Sequence, residues 1–293
     1  MMEDQIHDRL IVQADPTVSE PVLVYALEGW IDAGLGASSA ITTLLTTCNT
    51  EILATFDTEY FIDQRARRPM AHIVDGVTTE LTWPEIQVRY GHDGDGADVL
   101  FLVGPEPDFH WSDFAEVVTE LARHYAVRLV VGLGAFPAPA PHTRPIRVIG
   151  TAPTRSSHLL ARVGIVPGEI EVPAGIGAVL ELDLAEVGID VITLWARVPH
   201  YVASMGYPLA AAALIDGLAS VAGLTLDAGS LRESAEDARR RIDDLISANP
   251  EHDAMVRQLE LSLDAADPNV AEDLPSGDEL AAELERFLRG EGD

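Results

Sequence analysis

Three short, almost wholly apolar runs at residues 22–27, 99–103 and 127–131 limit most sharply what this chain can fold into. Apolar character of that length, without the alternation of a half-solvated strand, is what a strand covered on both faces requires. The first run closes on Glu28-Gly29, and residues 34–48 then carry apolar and small side chains suited to a helix. The second gives way to Gly104-Pro105-Glu106-Pro107-Asp108. A helical stretch follows from 112 to about 125, with Phe114, Val117, Val118 and Leu121 on one stripe and Ser112 as its N-cap. Strands alternating with helices predict an α/β fold, a mostly parallel sheet with helices on both faces. Residues 146–149 and 190–195 are further expected strands, and 132–145 reads as a loop.

One segment breaks this rhythm. Residues 70–74 and 77–81 flank Asp75-Gly76, a strong signal for a two-residue β-hairpin. We place it in an insertion spanning about 57–92, serving either a subunit contact or a plain surface hairpin. The α/β core is expected over 1–223. Beyond it, residues 227–293 hold 19 acidic and seven basic side chains. Leu231, Ala235, Ala238, Ile242 and Leu245, then Val256, Leu259 and Leu263, recur at helical spacing. The extension 224–293 therefore reads as acidic amphipathic helices, with a flexible segment at about 264–277 and a last short helix ending near Leu288. Their apolar stripes need a surface to cover, so they are expected to fold back as a lid over the strand ends.

Composition removes several function classes. The net charge is −29, from 48 acidic against 19 basic residues, which repels nucleic acid and anionic lipid. All the basic residues are arginine. Without lysine there is no phosphate-loop lysine, no Schiff-base lysine and no lysine general base. Cys48 is the single cysteine, which excludes an internal disulfide and a multi-thiolate zinc site. It reads as a packed residue. No apolar stretch approaches the ~20 residues of a membrane span, and the Met-Met-Glu-Asp start lacks a secretory pattern, so the expected location is the cytoplasm. No metal or cofactor is implied.

Ligands of parallel α/β sheets bind beyond the carboxyl ends of the strands, and four loops expected there are polar. The first, 28–34, contains Gly29, Trp30 and Asp32 ahead of a helix N-terminus able to receive an anion; a structural turn is the alternative. It is no dinucleotide fingerprint, because Ser39 stands at the third glycine position and Leu35 where a phosphate loop needs lysine. Arg65, Arg67 and Arg68 form a basic cluster suited to a carboxylate or phosphate, or to ion pairs across a subunit contact. In Pro141-His142-Thr143-Arg144-Pro145, His142 is a candidate acid or base and Arg144 a candidate anion clamp, the alternative being a network that holds the loop. Glu106 and Asp108 are candidate acid–base partners or turn caps, and His200 and Tyr201 add an imidazole and a phenol at the same edge. Residues 93–98 resemble a calcium loop, but Asp98 occupies the glycine position and Gly104 the glutamate position, so they read as a turn. Neither His-Glu-x-x-His nor Gly-x-Ser-x-Gly occurs.

Taken in order, Gly29-Trp30-x-Asp32-Ala33-Gly34, Arg67-Arg68-Pro69, the 104–108 and 141–145 motifs and Val198-Pro199-His200-Tyr201 resemble the bacterial branch of the proteasome assembly chaperone 2 family. The resemblance spans residues 20 to about 265. It implies a core like those of the purine nucleoside phosphorylases and peptidyl-tRNA hydrolases, a trimer built with a hairpin insertion, and a helical lid over a ligand site. Archaeal relatives are expected to dock on the proteasome through a terminal hydrophobic-tyrosine-any tripeptide. This chain ends Gly290-Glu291-Gly292-Asp293, so docking by that route is not expected. Two classes stay open: a binding or assembly protein with a small anion pocket and a protein partner, and a phosphorylase- or hydrolase-type enzyme acting on a small anionic, nucleoside-like or peptide-like substrate.

Overall fold

The computed structural model describes residues 6–29 and 31–265. Among these residues two compact units are formed, one from those up to 138 together with 146–241 and one from 139–145 with 242–265. In chain order the first unit contains β1 (Leu10–Val12), β2 (Val22–Glu28), α1 (Gly36–Thr47), β3 (Glu51–Phe56), α2 (Thr58–Phe61), β4 (Met70–Val74) and β5 (Val77–Thr82). It continues with β6 (Gln87–His92), β7 (Asp98–Pro105), α3 (Trp111–His124), β8 (Leu129–Ala138), β9 (Val148–Thr151), α4 (Ile176–Glu186), β10 (Val191–Pro199) and α5 (Pro208–Ala222).

Eight strands make one mixed sheet in the order β1-β3-β6-β7-β2-β8-β10-β9. The four inner strands β7, β2, β8 and β10 are mutually parallel, and antiparallel pairs extend them on either side. This matches the apolar runs: Val22, Leu23 and Val24, Leu100 and Phe101, and Val130 and Val131 are all buried. Alternate residues along β2 face different layers. Leu23 and Tyr25 join a core with Leu100, Leu102 and the buried faces of α3 and α4, whereas α1 and α5 pack together on the other side against β8 and β10. Helices therefore cover both faces.

The third strand is longer than its apolar run. It continues through Gly132 and Gly134 to Ala138, where the sequence suggested a loop. Glycines usually interrupt strands, but here each makes room for a ring: a Cβ at Gly132 would stand 2.3 Å from the Tyr25 ring and one at Gly134 2.4 Å from that of Trp195. The expected strand 146–149 lies at 148–151, and the one expected at 190–195 runs on to Pro199. β3 and β6 escape sequence reading because they mix exposed polar with buried apolar side chains near the sheet edge.

The hairpin forms where expected, as a separate two-stranded sheet of β4 and β5. Asp75 and Gly76 both have positive φ, 50° and 82°, as a type I′ turn requires. Every residue of the two strands is exposed. The acidic segment 93–98 is a turn, with the Asp93 carboxylate accepting from the amides of Asp95, Ala97 and Thr225. Past α5 come α6 (Ser230–Ser247) and α7 (Pro250–Ala265). Ile242 and Val256 are their most buried residues, on the stripes read from the sequence. The expected segment 264–277 is outside the described residues from 266 on, as is the helix expected to end near Leu288.

Candidate functional site

Several motif residues gather at the carboxyl ends of β2 and β7. Gly29 has φ +139°, and a Cβ there would lie 2.6 Å from the Arg67 guanidinium. Arg67 Nε donates to Asp108 Oδ2 at 3.2 Å, and the same oxygen takes the Asp63 amide at 2.9 Å. The Glu106 amide donates to the Glu28 carbonyl at 2.6 Å, while Glu106 Oε1 accepts from the Ile176 amide at the start of α4, also at 2.6 Å. Gly104, with φ +123°, lies directly against the Glu85 carbonyl. The Gly-Pro-Glu-Pro-Asp loop thus ties two strand ends to the arginine segment and to α4. Arg68, one residue on, is exposed.

Asp32 acts locally. Its carboxylate accepts from the amides of Ala37 at 2.7 Å and Ser38 at 3.0 Å and from the Ser38 hydroxyl at 2.5 Å, so it occupies the amides at the start of α1 that a bound anion would use. Gly34 packs on the segment after β10, its amide donating to the Ala203 carbonyl and its carbonyl accepting from the Tyr207 amide, both at 2.7 Å. His200 and Tyr201 open the short 3-10 helix on that segment, with their rings edge to face. Trp30 lies outside the described residues.

The remaining three sit in the second unit and are engaged by the acidic helices. Buried His142 shares a 2.9 Å hydrogen bond between Nε2 and Asp243 Oδ1. The Thr143 hydroxyl donates to Glu260. Arg144 makes a two-pronged contact with Asp264, at 3.1 and 2.7 Å, and a third bond to Glu260 at 3.1 Å. Hydrogen bonding to Arg144 holds the Asp264 carboxyl below its ordinary range. The proline-rich loop therefore carries partners for Asp243 on α6 and for Glu260 and Asp264 on α7.

Two of the cavities in the first unit are lined by residues of these motif loops. One of about 630 Å³ lies between the ends of β2 and β7 and α1, and its charged lining residues are Glu28 and Asp32. The other, about 250 Å³, lies beneath α4 and holds a polar network that sequence reading missed. Tyr25 on β2 bonds Thr193 on β10 at 2.8 Å, and Thr193 donates to Glu181 on α4 at 2.5 Å. From the other side, Trp195 Nε1 donates to Thr151 at 3.1 Å, and Thr151 to Glu181 at 2.9 Å. Burial raises both the Glu181 carboxyl and the Tyr25 phenol above their ordinary ranges. A signal was available: Gly132, Gly134 and Gly177 all stand where a side chain would collide with Tyr25 or Trp195. No cluster of three or more His, Cys, Asp or Glu side chains able to hold a metal occurs among the described residues.

Residues 26–246 match the PAC2 family, and the match covers the sheet except β1 and the start of β2, both helical layers and the motif loops just described. The chain belongs to the PAC2 family. Among solved structures, this PAC2 chain is similar to a Mycobacterium tuberculosis protein of unknown function, at 32% identity over 90% of this chain and 94% of that one, with a TM-score of 0.81. A Corynebacterium glutamicum protein of unknown function is 30% identical over 88% and 97% of the two chains, with the same TM-score of 0.81. A second M. tuberculosis structure, a proteasome-assembly chaperone homologue, is 33% identical over 80% and 99%, with a TM-score of 0.74. No curated protein matches this chain. Among its described residues, no helix is long and apolar enough to cross a membrane.

Proposed function

We propose that this PAC2 protein is an assembly factor that works by binding other chains, and that it first associates with itself, as a trimer, through the β4–β5 hairpin. The observation that carries this reading is the hairpin itself: its eleven strand residues are exposed, with Met70, Ile73 and Val77 at 73%, 60% and 61%. Leu81 and the neighbouring Trp83 extend the apolar surface. An isolated two-stranded hairpin is marginal in water, and contiguous exposed apolar surface marks an interaction site. The occupant best suited to it is a second copy. Copies of a chain with net charge −29 repel one another, so their contact needs a patch poor in acid. Residues 70–83 hold two acids, Asp75 and Glu80, and exposed Arg65 and Arg68 stand just before them, ready to pair with carboxylates of another copy. The similarity to a proteasome-assembly chaperone homologue supports a further protein client.

An anion pocket and an enzymatic role have less support. The larger cavity is lined by acids, Asp32 fills the start of α1, and Arg144 is engaged by two carboxylates. Light scattering on the wild type and on a chain lacking residues 70–81 tests the proposal. The expected result is an oligomer that falls to monomer on deletion; a wild-type monomer at micromolar concentration, or an oligomer that survives the deletion, would overturn it.

A further inference from the structure

The cavity beneath α4 is lined by two carboxyl groups, Glu106 and Glu181, and by no arginine or histidine. An indole N–H can only donate, so Thr151 accepts from Trp195 and passes its own proton toward Glu181. Thr193 has one hydroxyl proton, given to Glu181, and therefore accepts from Tyr25. Both chains of donors end on a single oxygen, Glu181 Oε1, an arrangement that suits the ionised carboxylate. Its other oxygen makes no hydrogen bond among the described residues, and no arginine or histidine there pairs with it. Glu106, a second carboxylate lining the cavity, takes the Ile176 amide, so the start of α4 adds negative charge and not an open anion seat. The space is built for its contents: glycines at 132, 134 and 177 clear the volume that Tyr25 and Trp195 occupy.

We infer that this cavity binds a small organic cation, a primary ammonium or guanidinium group on a short apolar skeleton. The cationic head bonds the open oxygen of Glu181 beside the Trp195 indole, whose ring adds cation–π attraction. Leu27, Ile31 and Leu133 line the apolar part. With about 30 Å³ per water-sized group, a cavity of 250 Å³ takes a molecule on the order of ten non-hydrogen atoms. Burial lifts the Glu181 carboxyl, with the threonine hydroxyls offsetting only part of that effect, and a bound cation supplies the missing counter-charge. The inference stands apart from the hairpin and from self-association.

Calorimetry on the full-length chain tests it with 3-methylbutylamine, phenethylamine and agmatine, and with 3-methylbutanol as the neutral match of the first. At least one amine is expected to bind, and 3-methylbutanol to bind about tenfold or more weaker than 3-methylbutylamine. Glu181→Gln is expected to weaken the amine by a similar factor, while Glu28→Gln, in the other cavity, leaves it unchanged. Three results would each sink the idea: no heat with any amine at millimolar concentration, equal binding of the alcohol, or equal losses in the two variants, which would mean general attraction to an acidic surface. The amine–alcohol comparison on the wild type decides the matter even where Glu181→Gln fails to fold.

Discussion

Asp32 occupies with its own carboxylate the amides at the start of α1, and this single side chain turns a candidate anion site into a helix cap. Asp32→Ala is expected to cost about 1–2 kcal/mol in chemical denaturation, and Asp32→Asn clearly less. Glycine carries a similar load in β8, where Gly132→Ala would push a methyl into the Tyr25 ring. Its expected cost is roughly 1–3 kcal/mol, read as a fall in the thermal midpoint. The motif glycines, the carboxylates at 106 and 108 and the arginines were legible as a set because they cluster in short loops between apolar runs. The Tyr25–Thr193–Glu181–Thr151 network was not, since its members sit on β2, β10, α4 and β9, and the register of β2, β8, β10 and β9 together with the packing of α4 on β10 brings them together.

At the scale of elements, the inner parallel strands, β9, α1, α3 and the hairpin could be read from periodicity and turn chemistry, while β1, β3, β6 and α4 could not, their patterns being short or mixing exposed polar with buried apolar side chains. The His142-Thr143-Arg144 loop has its partners on α6 and α7, a pairing over more than a hundred residues that no local pattern encodes. Arg144→Ala is expected to speed proteolytic cleavage within α7 at neutral pH, because it releases both Glu260 and Asp264. Acid acts on the same contact. Since the Asp264 carboxyl is held below its ordinary range when folded, its contribution is complete above the unfolded value near 3.8 and is lost as pH falls through the lower folded value. Pepsin should therefore attack α7 increasingly below about pH 4 and little at pH 5. Cleavage rates that are the same in wild type and Arg144→Ala at neutral pH would contradict this.

For the whole molecule, the net charge of −29 and the proposed self-association through the exposed apolar hairpin pull in opposite directions: the first keeps copies apart, and the second would give them one place to meet. Charge repulsion between copies makes association salt-dependent, so raising ionic strength from low to physiological is expected to increase the oligomer fraction in sedimentation. The most direct reading of self-association is hydrogen exchange at residues 70–82 as a function of protein concentration. Covering the hairpin in an oligomer predicts amide protection there that grows from nanomolar to micromolar concentration, while exchange in the sheet core stays constant. Fast exchange of the hairpin amides at every concentration would contradict the proposal that this element joins one copy of the chain to another.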